Sequence, residues 1–368
     1  MPINFVSLRL KSKNIMKLIY RKIVAGVLLQ PVVLLMAISL MACIKKPAGE
    51  KPSVVNFCKG ADVSWLPQME ASGFRFYDSL GKETDCLQIL KDHGMNSVRL
   101  RAFVNPSNDP HSGHCSTAET VALAVRAKQL GFKIMIDFHY SDSWADPGKQ
   151  VKPAAWASHS FSQLLNDVYT YTQEVMNALK TANIYPEWVQ VGNEINPGML
   201  LPDGSSSNMV NLAQLVNKGY DAVKSVSPNS LVIVHLANGY DNALFRWFFD
   251  GFTLNGGKMD IIGLSFYPYW DKKNYQDDVL DLAANMNDIS SRYKRPVMVV
   301  ETGGTDTAVN TTYNMLVAAI EKVRAVPGGK GLGVMYWEPE GAFSWSAYGL
   351  SCWGSDGKPT HALDAFLK

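Results

Sequence analysis

Residues 121–139, VALAVRAKQLGFKIMIDFH, change character at a single glycine. An amphipathic stretch runs up to it and a short apolar run follows, the order expected of a helix that stops and feeds a strand. Gly131 suits helix termination, and Ser116 with Glu119 forms a capping box at the start of the same helix. Residues 86–100, CLQILKDHGMNSVRL, repeat the arrangement with Gly94 as the stop.

Followed outward, this unit yields eight apolar runs: 57–64, 96–103, 132–139, 187–194, 231–237, 260–267, 296–301 and 331–338. Eight such runs separated by helical segments predict an α/β fold, a single (β/α)8 TIM barrel. A doubly wound open sheet would place a phosphate-binding glycine turn after an early strand. The nearest lookalike, PGGKGLG at 327–333, precedes a strand and reads as a helix-to-strand turn.

The chain has 368 residues, 47% of them hydrophobic and 11% aromatic, which favours a sizeable packed core and excludes disorder. Residues 1–42 differ in kind. Six basic residues, Arg9 to Lys22, precede the uncharged run IVAGVLLQPVVLLMAISLMA, the layout of a secretory leader. LMAC at 40–43 resembles a bacterial lipobox, which predicts lipidation of Cys43, a membrane anchor on it, and an exported lipoprotein of the outer membrane, on its cell-surface or periplasmic face. A membrane-spanning anchor is the alternative reading. Pro31 and the small-residue exit favour cleavage. Met16 is a more natural start than Met1.

Cleavage would remove six basic and no acidic residues, turning a net charge of +2 into −4. The basic balance thus belongs to the leader, and nucleic acid is not expected as a partner. Residues 43–56 read as a polar tether and 57–368 as the catalytic domain, expected to be a monomer. Cys58, Cys86, Cys115 and Cys352 remain in it; export permits disulfides, but a core of this size requires none.

The barrel reading lines up chemistry. Asp62, Arg99, Arg101, Asp137, His139, Asn193, Glu194, His235, Tyr267, Glu301, Trp337 and Glu338 all fall at or near strand C-terminal ends, the catalytic face of such barrels. Glu194 and Glu301 end the fourth and seventh runs. A lone strand-end glutamate usually serves a salt bridge or a helix cap. Two on the same face are what glycosidic bond cleavage requires, one to protonate the leaving oxygen and one to attack or to activate water. Arg99 and Arg101 share a strand face, and a guanidinium near Glu301 would keep that carboxylate ionised as a nucleophile, with Tyr267 donating to it. Glu194, in less cationic surroundings, would hold the raised pKa of a general acid. Asn193 suits the sugar hydroxyl beside the reacting carbon.

The series GADVSWL, VRLRAFVNP, DFHYSDSWADPGKQ, VGNEINPG, HLANGYD, FYPYW, VVETG and YWEPEG, in this order over residues 57–353, resembles glycoside hydrolase family 53, the endo-β-1,4-galactanases. DFHYSDSWADPGKQ and YWEP are specific to that family, whereas NE and ET mark only its clan. The resemblance implies retaining, endo-acting hydrolysis of β-1,4-galactan, the pectic side chain, with Glu194 as acid/base and Glu301 as nucleophile. It also implies that Arg99, Arg101, His139, Asn193, His235, Asn238 and Tyr267 belong to the substrate site. The alternatives are another clan endo-β-1,4-glycanase and a non-catalytic surface glycan-binding lipoprotein.

The apolar face of a galactose ring stacks on aromatic side chains. Trp144 and Trp337 are the first platforms to consider, with Trp65, Tyr269, Trp270, Trp345 and Trp353 behind them. Asp142 and Asp146 flank Trp144 and are placed to bind hydroxyls, although loop aspartates often only cap turns. The segment after Glu301 is short, without the Asp- and Asn-rich insertion that holds calcium in bacterial members of the family. No metal or cofactor is expected. HSGHC at 111–115, with His139 nearby, is weak support for a metal site.

Overall fold

A computed structural model describes residues 57–109 and 113–368; the leader, Cys43, the tether and His111 of HSGHC lie outside these residues. Eight parallel strands close a barrel: β1 (Cys58–Asp62), β2 (Ser97–Ala102), β3 (Lys133–Phe138), β4 (Trp188–Val191), β5 (Leu231–Leu236), β6 (Ile261–Phe266), β7 (Val297–Thr302) and β8 (Gly331–Trp337). Seven lie within the apolar runs, and β7 passes the end of its run, 296–301, by one residue, Thr302. Helices between them cover the outside, including Cys86–Asp92 and Thr117–Gln129. Ser116 and Glu119 make the reciprocal cap at the start of the latter. Gly94 and Gly131 follow these two helices with φ of +85° and +83°, where a side chain would be strained. Among the described residues no helix is long and apolar enough to cross a membrane.

Alternation along the strands builds two cores. Outward residues such as Val98, Leu100, Ile134, Ile136 and Val234 pack under the helices. Inward residues Met135, Trp188, Ile233, Ile261, Met298 and Met335 fill the lower barrel as a separate apolar cluster. Two residues further along β3, β4 and β5, the inward positions turn polar: Asp137 above Met135, Gln190 above Trp188, His235 above Ile233. The barrel therefore has an apolar plug below and a polar layer at its C-terminal mouth.

One irregularity positions chemistry. Leu264 pairs with Val299 but the next residue, Ser265, pairs with Glu301, so Val300 is an extra residue in β7. Val300 and Met298 both belong to the interior plug. Without the bulge, strict alternation would send Glu301 outward. The extra residue re-aims it into the mouth, opposite Ser265.

Candidate active site

Four non-glycine residues adopt left-handed backbone just past barrel strands: Tyr140 after β3, Glu194 after β4, Asn238 after β5 and Glu338 after β8. Such conformations are uncommon outside glycine and tend to persist where surrounding contacts over-determine them. At β4 those contacts are visible. The Gln150 amide donates to the carbonyls of Asn193 and Glu194 at 2.8 and 3.3 Å, and the Ile195 amide donates to the His235 carbonyl at 3.0 Å. The chain is thus turned sharply enough to present Glu194 to the mouth.

An oxygen of Glu194, an oxygen of Glu301 and a ring nitrogen of His235 all lie within 4.8 Å of one another. Among the described residues these three are grouped closely enough to hold a cation, but both nitrogens of His235 are already occupied. Nε2 lies 2.8 Å from Ser265 Oγ; Nδ1 lies 3.0 Å from the Gln190 amide nitrogen and 2.9 Å from Asn193 Oδ1. The imidazole is committed to hydrogen bonds and offers no lone pair to the cleft.

Glu194 and Glu301 sit in a cleft of about 430 Å³ that also exposes His139, Trp144, Asp146, Asn193, Tyr267 and Trp337. Burial pushes the Glu194 carboxyl up to about 7, opposed by a hydrogen bond from Ser265 and by the Arg99 charge. Burial also pushes Glu301 well above the ordinary glutamate range, and the neighbouring Glu194 adds to this while Arg99 opposes it. Two close carboxyls in a low-dielectric pocket cannot both ionise freely. The expectation that a guanidinium would simply hold Glu301 ionised needs amending, because Arg99 divides its charge. It lies 2.8 Å from Asp62 and 2.7 Å from Asp137, but 3.4 Å from Glu301.

Several residues expected at the substrate lie beneath it instead. Arg99 and His235 are fully buried. Arg101 is buried against Asp62 and Glu338 at 3.1 and 2.5 Å, with its guanidinium 5.4 Å from the centre of the Trp337 ring. These three support the lining and are not part of it. Asp142 takes up two loop amides, Asn105 at 3.0 Å and Ala154 at 2.8 Å, the turn-capping role open to any loop aspartate. Asn238 lines a smaller recess of about 170 Å³ beside Glu194, shared with Ser265 and Asp271. His114 is held by Glu119 at 2.7 Å as part of the helix cap.

The remaining polar contacts orient the lining. Asn193 accepts from Arg99 at 2.8 Å and donates to the Ala145 carbonyl at 2.8 Å, which fixes its amide at the cleft edge. His139 Nδ1 accepts from the Ala145 amide at 2.8 Å, so its proton is on Nε2, directed at Asp137 at 2.8 Å. Trp65 packs edge-on against Trp144, Trp337 and Tyr348 with centroids 6.1, 5.0 and 6.0 Å away, and all four rings line the cleft. Trp270 lines it too and is 59% exposed. Trp353 is buried against Phe76 and belongs to the core, and the Trp345 indole donates to Ser72. Sequence reasoning missed Ser265, Gln190, Gln150 and Tyr348. Ser265 shares the inward parity of Ile261 and Gly263, a signal present in DIIGLSFY; Tyr348, in a loop after β8, carries no such mark.

A parallel barrel with two close carboxylates at its C-terminal mouth and an aromatic-walled cleft defines a glycosidase of the (β/α)8 type. The comparisons agree. The profile of glycosyl hydrolase family 53 matches residues 58–362. An uncharacterized protein from the bgaB 5′ region of Niallia circulans is 38% identical, over 81% of this chain and 88% of its own. A probable arabinogalactan endo-β-1,4-galactanase A of Neosartorya fischeri is 33% identical, over 80% of this chain and 86% of its own. The solved catalytic domain of an Ignisphaera aggregans family 53 enzyme superposes with a TM-score of 0.77 at 30% identity, covering 85% of this chain and 96% of that one. The chain belongs to glycosyl hydrolase family 53.

Proposed function

We propose that this enzyme cleaves internal bonds of β-1,4-galactan by double displacement, with Glu301 as nucleophile and Glu194 as acid and then base. The observation that carries the retaining reading is the carboxylate spacing, oxygens within 4.8 Å. Retaining enzymes use a carboxyl separation of about 5–5.5 Å, whereas inverting ones need about 6.5–9.5 Å to admit a water. Glu301 attacks the anomeric carbon while Glu194 passes its proton to the departing glycosidic oxygen. Glu194, now ionised, takes a proton from the water that releases the sugar from Glu301.

The substrate assignment draws on the Neosartorya fischeri relative, named a probable arabinogalactan endo-β-1,4-galactanase, and on the indole-walled cleft. Internal cleavage fits a cleft whose lining includes the exposed ring of Trp270. In the same proposal the enzyme is exported and held to the outer membrane through a lipid on Cys43, acting as a monomer. Reducing-end release from pectic galactan is the test. Folded protein that ignores galactan while cutting mannan or cellulose overturns the substrate, and binding without turnover overturns the activity. Glu301→Ala should lower turnover by several orders of magnitude. Glu194→Ala should lose galactan cleavage but recover rate on aryl galactosides with good leaving groups, which need little acid help; no recovery contradicts the roles.

A further inference from the structure

Two fully buried or nearly buried side chains that do not line the cleft stand in series behind Glu194. Ser265 Oγ lies 2.5 Å from Glu194 Oε1, and His235 Nε2 lies 2.8 Å from Ser265 Oγ. Beyond them the Gln190 amide nitrogen lies 3.0 Å from His235 Nδ1 and 2.6 Å from Asp137 Oδ1. A chain of this kind has two possible polarities, set by what Nδ1 meets at its far end. Asp137, also paired with Arg99 at 2.7 Å, only accepts and takes one hydrogen of the Gln190 amide; the other lies between His235 Nδ1 at 3.0 Å and Asn193 Oδ1 at 2.9 Å. Asn193 Oδ1 is also 2.9 Å from Nδ1, but Arg99 at 2.8 Å and Gln190 already supply a donor to each of its two lone pairs. Nδ1 is therefore read as an acceptor, which puts the single imidazole proton on Nε2. Ser265 accepts that proton's hydrogen bond and has its own hydroxyl hydrogen free for Glu194 Oε1.

We propose that His235 and Ser265 are positioning residues that reserve Oε1 of Glu194 as an acceptor and thereby confine the catalytic proton to Oε2. This rests on the acid/base reading of Glu194. In the opposite polarity Ser265 would donate to His235 and could only accept from Glu194. The acid would then spend its proton on Ser265 instead of the glycosidic oxygen. The same arrangement serves the second half of the reaction, because the Ser265 hydroxyl stabilises the ionised Glu194 that must accept a proton from water.

The surroundings keep the imidazole neutral through both halves. Burial, Arg99 and His139 hold His235 well below the ordinary histidine range. Gly263, its cross-strand partner on β6, leaves it room: a Cβ there would come within 3.3 Å of His235 Cβ and 2.8 Å of Ile233. Glu194 itself is faced by Arg99 from β2, Asp137 from β3, Asp146 from the loop after β3 and Ser265 from β6. Glu301 from β7, and Asp271, Tyr267 and Tyr348 from the loops after β6 and β8, complete its charged and titratable neighbours.

The first test is the ¹⁵N spectrum of His235 in the wild-type enzyme, which needs no turnover. The expected result is a neutral ring protonated on Nε2 across the active pH range; an Nδ1-protonated ring or an imidazolium overturns the proposal. The second is kinetic. Ser265→Ala should lower kcat on galactan about tenfold to a hundredfold, the worth of one hydrogen bond to a charged group, with KM little changed. Its alkaline limb should move to higher pH, because ionised Glu194 has lost a donor. Ser265→Thr should restore both. A Ser265→Ala enzyme whose KM alone changes, with an unmoved pH profile, contradicts the proposal. If Glu194→Ala fails to recover on activated substrates, the acid/base reading fails, and that outcome is separate from both results above.

Discussion

Arg99 shows how one side chain can set the working pH of two others. The reaction needs Glu194 protonated and Glu301 ionised at once. With Glu194 pushed up to about 7, turnover should decline as pH rises past that value. The acid limb belongs to Glu301, which burial raises and Arg99 restrains. Arg99→Met removes the restraint, so Glu301 should rise further and the acid limb should move toward the alkaline one, narrowing the profile of kcat/KM. Asp62 and Asp137 would lose their buried partner at the same time, at a cost of about 3–5 kcal/mol in unfolding free energy. An acid limb that stays in place would mean that Glu301 does not sense this cation. From the sequence, Glu194 and Glu301 were legible because each is an isolated carboxylate at the end of an apolar run. What Arg99 touches was not, since the sequence puts it on the right strand face without saying which of several acids crosses the barrel to meet it. Asp142 and Asp146 illustrate the same limit: two aspartates around one tryptophan, of which only the second reaches the cleft.

The strands could be found in the sequence because they are buried on both faces and read as short, mostly apolar runs, interrupted in β2 by Arg99 and Arg101. The β7 bulge could not, because Val300 is as apolar as its neighbours and nothing in VMVVET announces which residue is extra. A second hidden feature lies where β8 leaves the barrel. The carboxyls of Glu338 and Glu340 are fully buried and close enough to shift each other's pKa, and neither oxygen of Glu340 has a well-formed hydrogen bond. A buried carboxyl so poorly supplied with donors keeps its proton, and Glu338, which holds Arg101 and the Trp65 amide, is the acceptor expected to share it. Burial pushes Glu338 up to about 7 and Glu340 well above the ordinary range. Unfolded glutamates ionise near about 4.3, so above that value the folded state binds more protons than the unfolded one and stability falls as pH rises. Glu340→Gln keeps a donor for Glu338 and has no proton to lose. Its Tm should therefore decline less steeply than that of the wild type between about pH 5 and about pH 8. A slope equal to or steeper than the wild-type slope would show that the pair does not share a proton.

For the whole molecule, the question is what stabilises the barrel domain. The sequence left disulfides open, and in the structure Cys58, Cys86, Cys115 and Cys352 are all free and buried. They lie apart in role: Cys58 is in the barrel plug, while Cys86 and Cys352 belong to the outer core. Stability thus comes from two apolar layers and from closure of the sheet, which leaves no open edge. Burial pushes the thiols of Cys58, Cys115 and Cys352 up to about 12 and Cys86 well above its ordinary range. Since the thiolate is the reactive form, native protein should resist alkylation at these four positions, and guanidinium should expose them all to it, as peptide mapping by mass spectrometry can show. A reductant should leave Tm unchanged, because there is no cross-link in the domain to break. Labelling of any of the four in the native state would mean that the surrounding layer opens locally well below the global unfolding free energy. A fall in Tm with reductant would mean that two of these cysteines pair, which would require the barrel plug or the outer core to repack around a bond that the structure does not contain.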